Sequence, residues 1–288
     1  MERIVVGVGD SASHKAVEWV IRRAAHRAVE VRLVRAFDML ASDPNDNRIT
    51  LDRVRDHVRK ALPGTEVHTS LEMKTVPDAL VDAAEHADLV VIGAHRDHPV
   101  QSTLQGSVPL RIASRAHAST VIVPTDWEPG HDREVVVGMA DDDTSSAALL
   151  FAAHEAAAAR ARLTVVHTWA MPVRTITDVL VSEDVELRDA HQREVSRAVD
   201  DLRDAVAHLD VRGALEERPT ADALADHART AELVVIGSHR WGAIVGIVLG
   251  STARALLSRT STPISIVPRP PAFTPKSTTT SSPSTPER

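Results

Sequence analysis

Two loops with nearly the same pattern contain the residues of this chain best suited to binding chemistry. One runs from Gly93 to Ser107 and the other from Gly237 to Ser251, and each ends in Gly-Ser. Glycine lets the backbone approach a ligand closely. A serine at the start of a helix, together with the free N–H groups of the first helical turn, can hold an anion. The pattern therefore predicts two sites for a phosphate-like anion.

Groups for catalysis or for metal binding do not occur at recognisable spacings. The chain has no cysteine, which excludes disulfides, thiolate zinc sites and cysteine nucleophiles. Its 15 histidines form no HExxH pattern, and the chain has no GxxxxGK[ST] loop and no GxSxG elbow. We therefore predict no catalytic residue and no metal site, and we expect a protein that is not an enzyme.

The loops belong to a duplication that covers most of the chain. Gly237 lies 144 residues after Gly93, whereas Gly138 lies only 131 residues after its counterpart Gly7. The second copy therefore carries an insertion of 144 − 131 = 13 residues, which we place around 175–189. The expected organisation is a first domain at 1–125, a linker at 126–133, a second domain at 134–269 and a disordered tail rich in Pro, Ser and Thr at 270–288.

In each of these two domains, which we call the two halves, short apolar runs alternate with longer segments in which apolar residues recur every three or four positions. The runs predict strands near 3–9, 30–37, 66–72, 88–93, 119–124, 134–140, 162–169, 210–216, 232–237 and 264–267. Helical spacing predicts helices over 13–28, 78–86, 144–161, 183–208 and 221–230. The strands are apolar at consecutive positions, as in a parallel sheet covered on both faces. The predicted fold is α/β, with two tandem doubly wound five-stranded parallel sheets.

Composition excludes several classes of function. A net charge of −7, 2% aromatic residues and no tyrosine argue against binding to nucleic acid. No apolar stretch is long enough to span a membrane, and the N-terminal residues Met1–Ile4 lack a signal-peptide pattern. We expect a cytoplasmic protein that binds neither nucleic acid nor membranes.

Both halves resemble the universal stress protein domain, a nucleotide-binding α/β module that is often found in tandem. The resemblance rests on the Gly-Ser loops, on Gly7 and Gly138 in the first strands, and on Val166–Trp169; it extends from residue 3 to residue 268. It implies a fold like that of the adenine nucleotide alpha hydrolases. It also implies an intrachain pseudo-dimer, in which the strands ending at Pro124 and Pro268 pair.

The resemblance further implies an adenine nucleotide as ligand, namely ATP, alone or with Mg²⁺. The positions that it implies in the second half are Gly237, Gly250, Ser251 and Thr252 at the phosphates and Thr168 at the adenine. The positions that it implies in the first half are Gly93, Gly106, Ser107 and Val108 at the phosphates and Ala36 at the adenine.

Two departures from the family pattern leave alternatives open. Arg96 and Arg240 stand where the family has its second loop glycine, and each arginine either binds phosphate or points to solvent. Asp10 and Asp141 stand one residue beyond the expected aspartate. Each either reaches the nucleotide or caps the following helix.

The second half keeps more of the loop glycines than the first. Gly242 and Gly246 lie in its loop, where the first half has His98 and Ser102. We therefore expect ATP in the second half rather than the first. The leading hypothesis is a regulatory ATP-binding protein of a stress response. The alternatives are a nucleotide-free scaffold that acts through protein interactions and a slow ATPase, and a homodimer or another protein partner stays open.

Overall fold

The computed structural model describes residues 1–9, 12–25, 27–37, 43–95, 107–130, 133–140, 145–169, 181–238 and 250–269. Within these ranges the chain forms ten β-strands, numbered in chain order: Glu2–Gly7 (β1), Val29–Ala36 (β2), Glu66–Glu72 (β3), Leu89–Ala94 (β4), Ser119–Pro124 (β5), Glu134–Met139 (β6), Arg162–Trp169 (β7), Val211–Glu217 (β8), Leu233–Gly237 (β9) and Ile264–Val267 (β10). It also forms eight α-helices: Ala12–Ala24 (α1), Pro44–Ala61 (α2), Val76–Ala83 (α3), Val108–Arg115 (α4), Ser145–Ala159 (α5), Val181–Ala205 (α6), Thr220–Ala228 (α7) and Ser251–Arg259 (α8).

All ten strands join in a single sheet with the order β3-β2-β1-β4-β5-β10-β9-β6-β7-β8. Each half contributes five parallel strands, and the order in one half is the reverse of that in the other. In the first half, β2 and β3 are added on one side of β1, and β4 and β5 are added on its other side, so the strand order reverses between β1 and β4. The same reversal occurs between β6 and β9. Each half therefore has a switch point, which is where ligands of open α/β sheets bind. The predicted doubly wound α/β fold is confirmed.

The halves join through their edge strands. β5 and β10 are antiparallel, with Ile264 opposite Ile122, Ser265 opposite Val121 and Ile266 opposite Thr120. This pairing removes two apolar edges that would otherwise be templates for association with other chains. It confirms the predicted intrachain pseudo-dimer.

Helices cover both faces of the sheet, and each face carries one core that is continuous across the two halves. The core on the face of α1, α2, α5 and α6 includes Ile4, Leu33 and Leu163. The core on the face of α3, α4, α7 and α8 includes Ile112, Leu224 and Leu256. Consecutive residues of β4 and β9 alternate between the two cores, which explains why these strands are apolar at every position.

The predicted strands and helices are confirmed to within a few residues at their ends. No range was predicted for α4 and α8, although a helix start was expected at each Gly-Ser pair, and α2 was not predicted at all. This helix begins with the usual signals, since the side chain of Asp43 accepts a hydrogen bond from the Asn45 N–H and Pro44 occupies the first turn. Its surface is mostly polar, and the residues it buries are Asn47, Leu51 and Val58. The tail at 270–288 and residues 175–180 of the predicted insertion lie outside the described residues.

Candidate functional site

A cavity of about 870 Å³ opens at the carboxyl ends of β1, β2 and β4, and we call it the first cavity. Its walls include the first turns of α1 and α4, so it lies at the switch point of the first half. Gly9, Arg35, Ala36, Gly93 and Ser107 line it, together with apolar residues such as Leu80 and Ile92. The structure thus places Gly93, Ser107, Val108 and Ala36, which the resemblance implied, around one space.

Ser107 supplies an unpaired polar group to the wall of this cavity. It occupies the position before the first turn of α4, but its side chain makes no capping hydrogen bond. Its Oγ is buried and has no hydrogen-bond partner among the described residues. A buried hydroxyl without a partner costs about 1–3 kcal/mol, and the first N–H groups of α4 have no acceptor within the helix. An anion in the cavity would satisfy both.

Gly93 is required by packing, independently of any ligand. A Cβ on Gly93 would lie 2.0 Å from the backbone oxygen of Ala12, at the start of α1. Any larger residue would therefore push α1 away from the end of β4. By contrast, a Cβ on Gly9 would meet no atom of the described residues within 4 Å. The two glycines line the same cavity for different reasons.

Among the described residues, two arginines line the first cavity, and they differ in how they are held. Arg35, at the end of β2, donates from Nε to Asn47 Oδ1 at 2.6 Å and from Nη1 to the Gly9 carbonyl at 2.7 Å. Arg254 comes from α8 of the second half, is exposed, and makes no side-chain hydrogen bond or ion pair within the described residues. An arginine of the second half, with no side-chain partner in the described part of the chain, therefore contributes to the wall of the first cavity.

A second, smaller cavity of about 270 Å³ occupies the equivalent place in the second half. Thr168, Gly237, Gly250 and Thr252 line it, as the resemblance implied, together with His167 and Thr220. Ser251 does not line it but begins α8, whose preceding cap residue is Gly250. Every described lining residue belongs to the second half, so no cation from the described part of the first half lines this cavity.

Comparison with known proteins decides the family. The sequence profile of the universal stress protein family matches residues 1–124 and 133–268. The chain belongs to the universal stress protein family. Universal stress protein Rv1996 of Mycobacterium tuberculosis is 26% identical over 93% of this chain and 96% of its own length.

Solved universal stress proteins share the fold at low sequence identity. One from Archaeoglobus fulgidus superposes with a TM-score of 0.61 at 15% identity, over 93% of this chain and 98% of that one. A structure from Pseudomonas aeruginosa gives a TM-score of 0.66 at 16% identity, over 93% of this chain and 94% of that one. No α-helix in the described ranges has the length and apolarity needed to cross a membrane.

Several positions implied by the universal stress protein resemblance cannot be placed. These positions lie outside the described residues: Asp10, Arg96, Gly106, Asp141, Arg240 and Gly242. The alternatives for the two arginines and the two aspartates therefore stay open.

A histidine cluster beside the second cavity was missed by the sequence analysis. His167, His191 and Glu194 bring ligand atoms within 4.8 Å of one another, although we predicted no metal site. His191 and Glu194 are three residues apart on α6, a spacing that places them on one helix face. His167 is on β7, and the intervening residues include the insertion. The His-x-x-Glu spacing was the available signal.

Proposed function

We propose that this universal stress protein binds an adenine nucleotide, ATP foremost, as a regulatory ligand, and that the first cavity is its principal site. The observation that carries the proposal is that the Ser107 hydroxyl and the Arg254 guanidinium share the wall of one switch-point cavity, and neither side chain has a polar partner among the described residues. A helix N-terminus, a hydroxyl and a guanidinium together make a suitable receptor for phosphate oxygens. The family resemblance supports adenine as the base.

Cavity size supports the first half over the second. Sites for drug-sized ligands and cofactors usually measure about 300–1,000 Å³. The first cavity, at about 870 Å³, lies well inside that range, whereas the second, at about 270 Å³, lies just below it. The loop glycines favour the second half on sequence grounds, but the described walls favour the first.

Two matched glycine substitutions test both parts of the proposal. Gly9 lines the first cavity and Gly250 the second, and a Cβ on either meets no described atom within 4 Å. A leucine side chain at each position would therefore begin in space that no described atom occupies and would fill part of one cavity. Isothermal titration of the full chain with ATP and Mg²⁺ should show binding that is lost or at least tenfold weaker in Gly9→Leu and retained in Gly250→Leu.

Three other outcomes of the titration would each support an alternative to this proposal. Loss of binding in Gly250→Leu alone would move the site to the second half, as the loop glycines suggest. No heat and no change in melting temperature at millimolar ATP would overturn nucleotide binding itself. Such a result would favour the scaffold hypothesis. Release of ADP during the titration, measured by chromatography, would indicate the slow ATPase.

A further inference from the structure

We propose that His167, His191 and Glu194 form a binding site for a divalent transition-metal ion, with Zn²⁺ as the best match. The site lies between β7 and α6 and reaches the wall of the second cavity through His167. It does not depend on nucleotide binding.

The hydrogen bonding of His167 leaves one ring nitrogen directed at the cluster. The His167 ring is 1% exposed, and its Nδ1 lies 3.1 Å from the carbonyl oxygen of Met139. A carbonyl can only accept, so Nδ1 carries the proton and the Nε2 of the neutral ring presents its lone pair. Such a bond from the far nitrogen to a carbonyl is typical of metal-binding histidines, because it fixes the tautomer and the ring orientation.

Nε2 of His167 and Nδ1 of His191 lie at a distance at which both could bind one ion. His167 Nε2 is 2.9 Å from His191 Nδ1. Two nitrogens that are each about 2 Å from one ion lie roughly 2.9–3.4 Å apart when the ligand angle is 90–110°. Without an ion the two nitrogens share a proton in an N–H···N hydrogen bond. When this proton moves to Nε2 of His191, the ion takes its place between His167 Nε2 and His191 Nδ1.

Glu194 supplies an anionic third ligand. Its Oε2 is 3.8 Å from His191 Nδ1, and its side chain is 43% exposed, so the carboxylate can rotate towards an ion. The ring of Trp169 stacks on that of His191, with centroids 5.7 Å apart and planes inclined by 29°. Two neutral imidazoles and one carboxylate suit Zn²⁺, and water fills the remaining coordination position.

Only the second of the two duplicated halves has these three ligand residues at the equivalent positions. Arg35 and Asn47 stand in the first half where the second has His167 and His191, and Thr50 stands where it has Glu194. Arg35 reaches across the same strand–helix contact to Asn47 and donates to the Gly9 carbonyl, as His167 donates to that of Met139. A guanidinium cannot ligate a metal. The first half therefore has the same strand–helix contact but lacks the metal ligands.

A zinc titration tests the proposal. The full chain is stripped with EDTA and titrated with Zn²⁺ against a competing chromophoric chelator, and Co²⁺ absorption reports the ligand set. We expect one high-affinity Zn²⁺ per chain, at least tenfold weaker binding in His191→Ala, and weaker binding in Glu194→Gln. The matched control is His227→Ala, because His227 also contacts a carboxylate, with Nε2 2.6 Å from Glu216. Its affinity should stay within twofold of the unsubstituted chain.

Two results would overturn the site: no saturable zinc binding, or equal affinity in the unsubstituted chain and His191→Ala. Circular dichroism of His191→Ala and Glu194→Gln separates loss of a ligand from loss of folding. The Glu194 side chain is 43% exposed, so Glu194→Gln should fold, whereas His191 is 16% exposed and packs on Trp169, so the folding check decides how His191→Ala is read.

Discussion

Arg23 of the first half and Glu155 of the second form a buried, bidentate ion pair across the pseudo-dimer interface. Nη2 of Arg23 lies 2.6 Å from Oε1 of Glu155, and Nε lies 3.0 Å from Oε2. Both side chains are less than a tenth exposed. Arg23 also donates to both oxygens of Glu2, and Arg27 donates to Glu155. This cluster connects α1 with α5 beside the short β5–β10 pairing.

Replacing Glu155 with glutamine should destabilise the protein by about 3–5 kcal/mol at neutral pH, because the substitution removes the partner of a buried charge. Burial penalises the charged form of Glu155, but the guanidinium groups of Arg23 and Arg27 outweigh that penalty and hold its pKa below the ordinary value of 4.5. The depressed pKa contributes stability above pH 4.5, and this contribution is lost as the pH falls through the folded-state pKa. Urea unfolding should therefore show a difference between the two proteins that shrinks in acid.

An exposed ion pair across the same interface is the control. Arg22 Nη2 lies 3.1 Å from Oε1 of Glu232, with the arginine half exposed. Glu232→Gln should change the free energy of unfolding by less than about 1 kcal/mol, as is usual for surface pairs. Equal effects of the two substitutions would contradict the importance of the buried pair.

Thr120→Val should raise stability by about 1 kcal/mol. Thr120 is fully buried in β5, opposite Ile266 of β10, and its Oγ1 has no hydrogen-bond partner among the described residues. Valine has the same shape without the unpaired hydroxyl, whose burial is unfavourable. Urea unfolding midpoints measure the change.

Thr262→Val is the matched comparison for this substitution. Thr262 is also buried, but its hydroxyl donates to the Ala228 carbonyl at 2.6 Å. Here valine should lower stability by about 1 kcal/mol, because the carbonyl loses its donor. A loss of stability in Thr120→Val similar to that in Thr262→Val would mean that the Thr120 hydroxyl does have a partner in solution.

The fold could be predicted from the sequence because each strand has its own local signal. β4 and β9 are apolar at every position, and residues such as Val90 and Val234 are fully buried. The helix α2 escaped because its burial involves a polar residue, Asn47, which serves as the hydrogen-bond partner of Arg35. Hydrophobic periodicity is read from apolar residues alone, so it cannot detect a polar residue that is buried because it forms a hydrogen bond.

The candidate site was harder to predict because it depends on contacts between distant parts of the chain. Gly93 and Ser107 lie in a visible motif, but Arg254 reaches the first cavity from the opposite half. His167 and His191 meet only because α6 packs on β7. No local pattern encodes either contact.

Gly93→Ala should cost about 3 kcal/mol or more, because the new methyl group would overlap the Ala12 backbone oxygen. Gly9→Ala, at the same cavity but in open space, should change stability by less than about 1 kcal/mol. Thermal unfolding and the yield of soluble protein measure both. A mild effect of Gly93→Ala would mean that α1 can move away from β4.

Arg254→Ala should weaken ATP binding by about tenfold or more, since charge-assisted hydrogen bonds contribute about 1.5–3 kcal/mol. The loss should be larger for ATP than for adenosine, because the guanidinium meets phosphate rather than base. Arg259→Ala, on the same helix, removes the same charge from a residue paired with Asp222 and should leave the affinity within twofold. Titrations of both variants with ATP and adenosine measure these differences. Equal losses in the two variants would indicate a general effect of charge, and an unchanged affinity in Arg254→Ala would remove the second half from the first site.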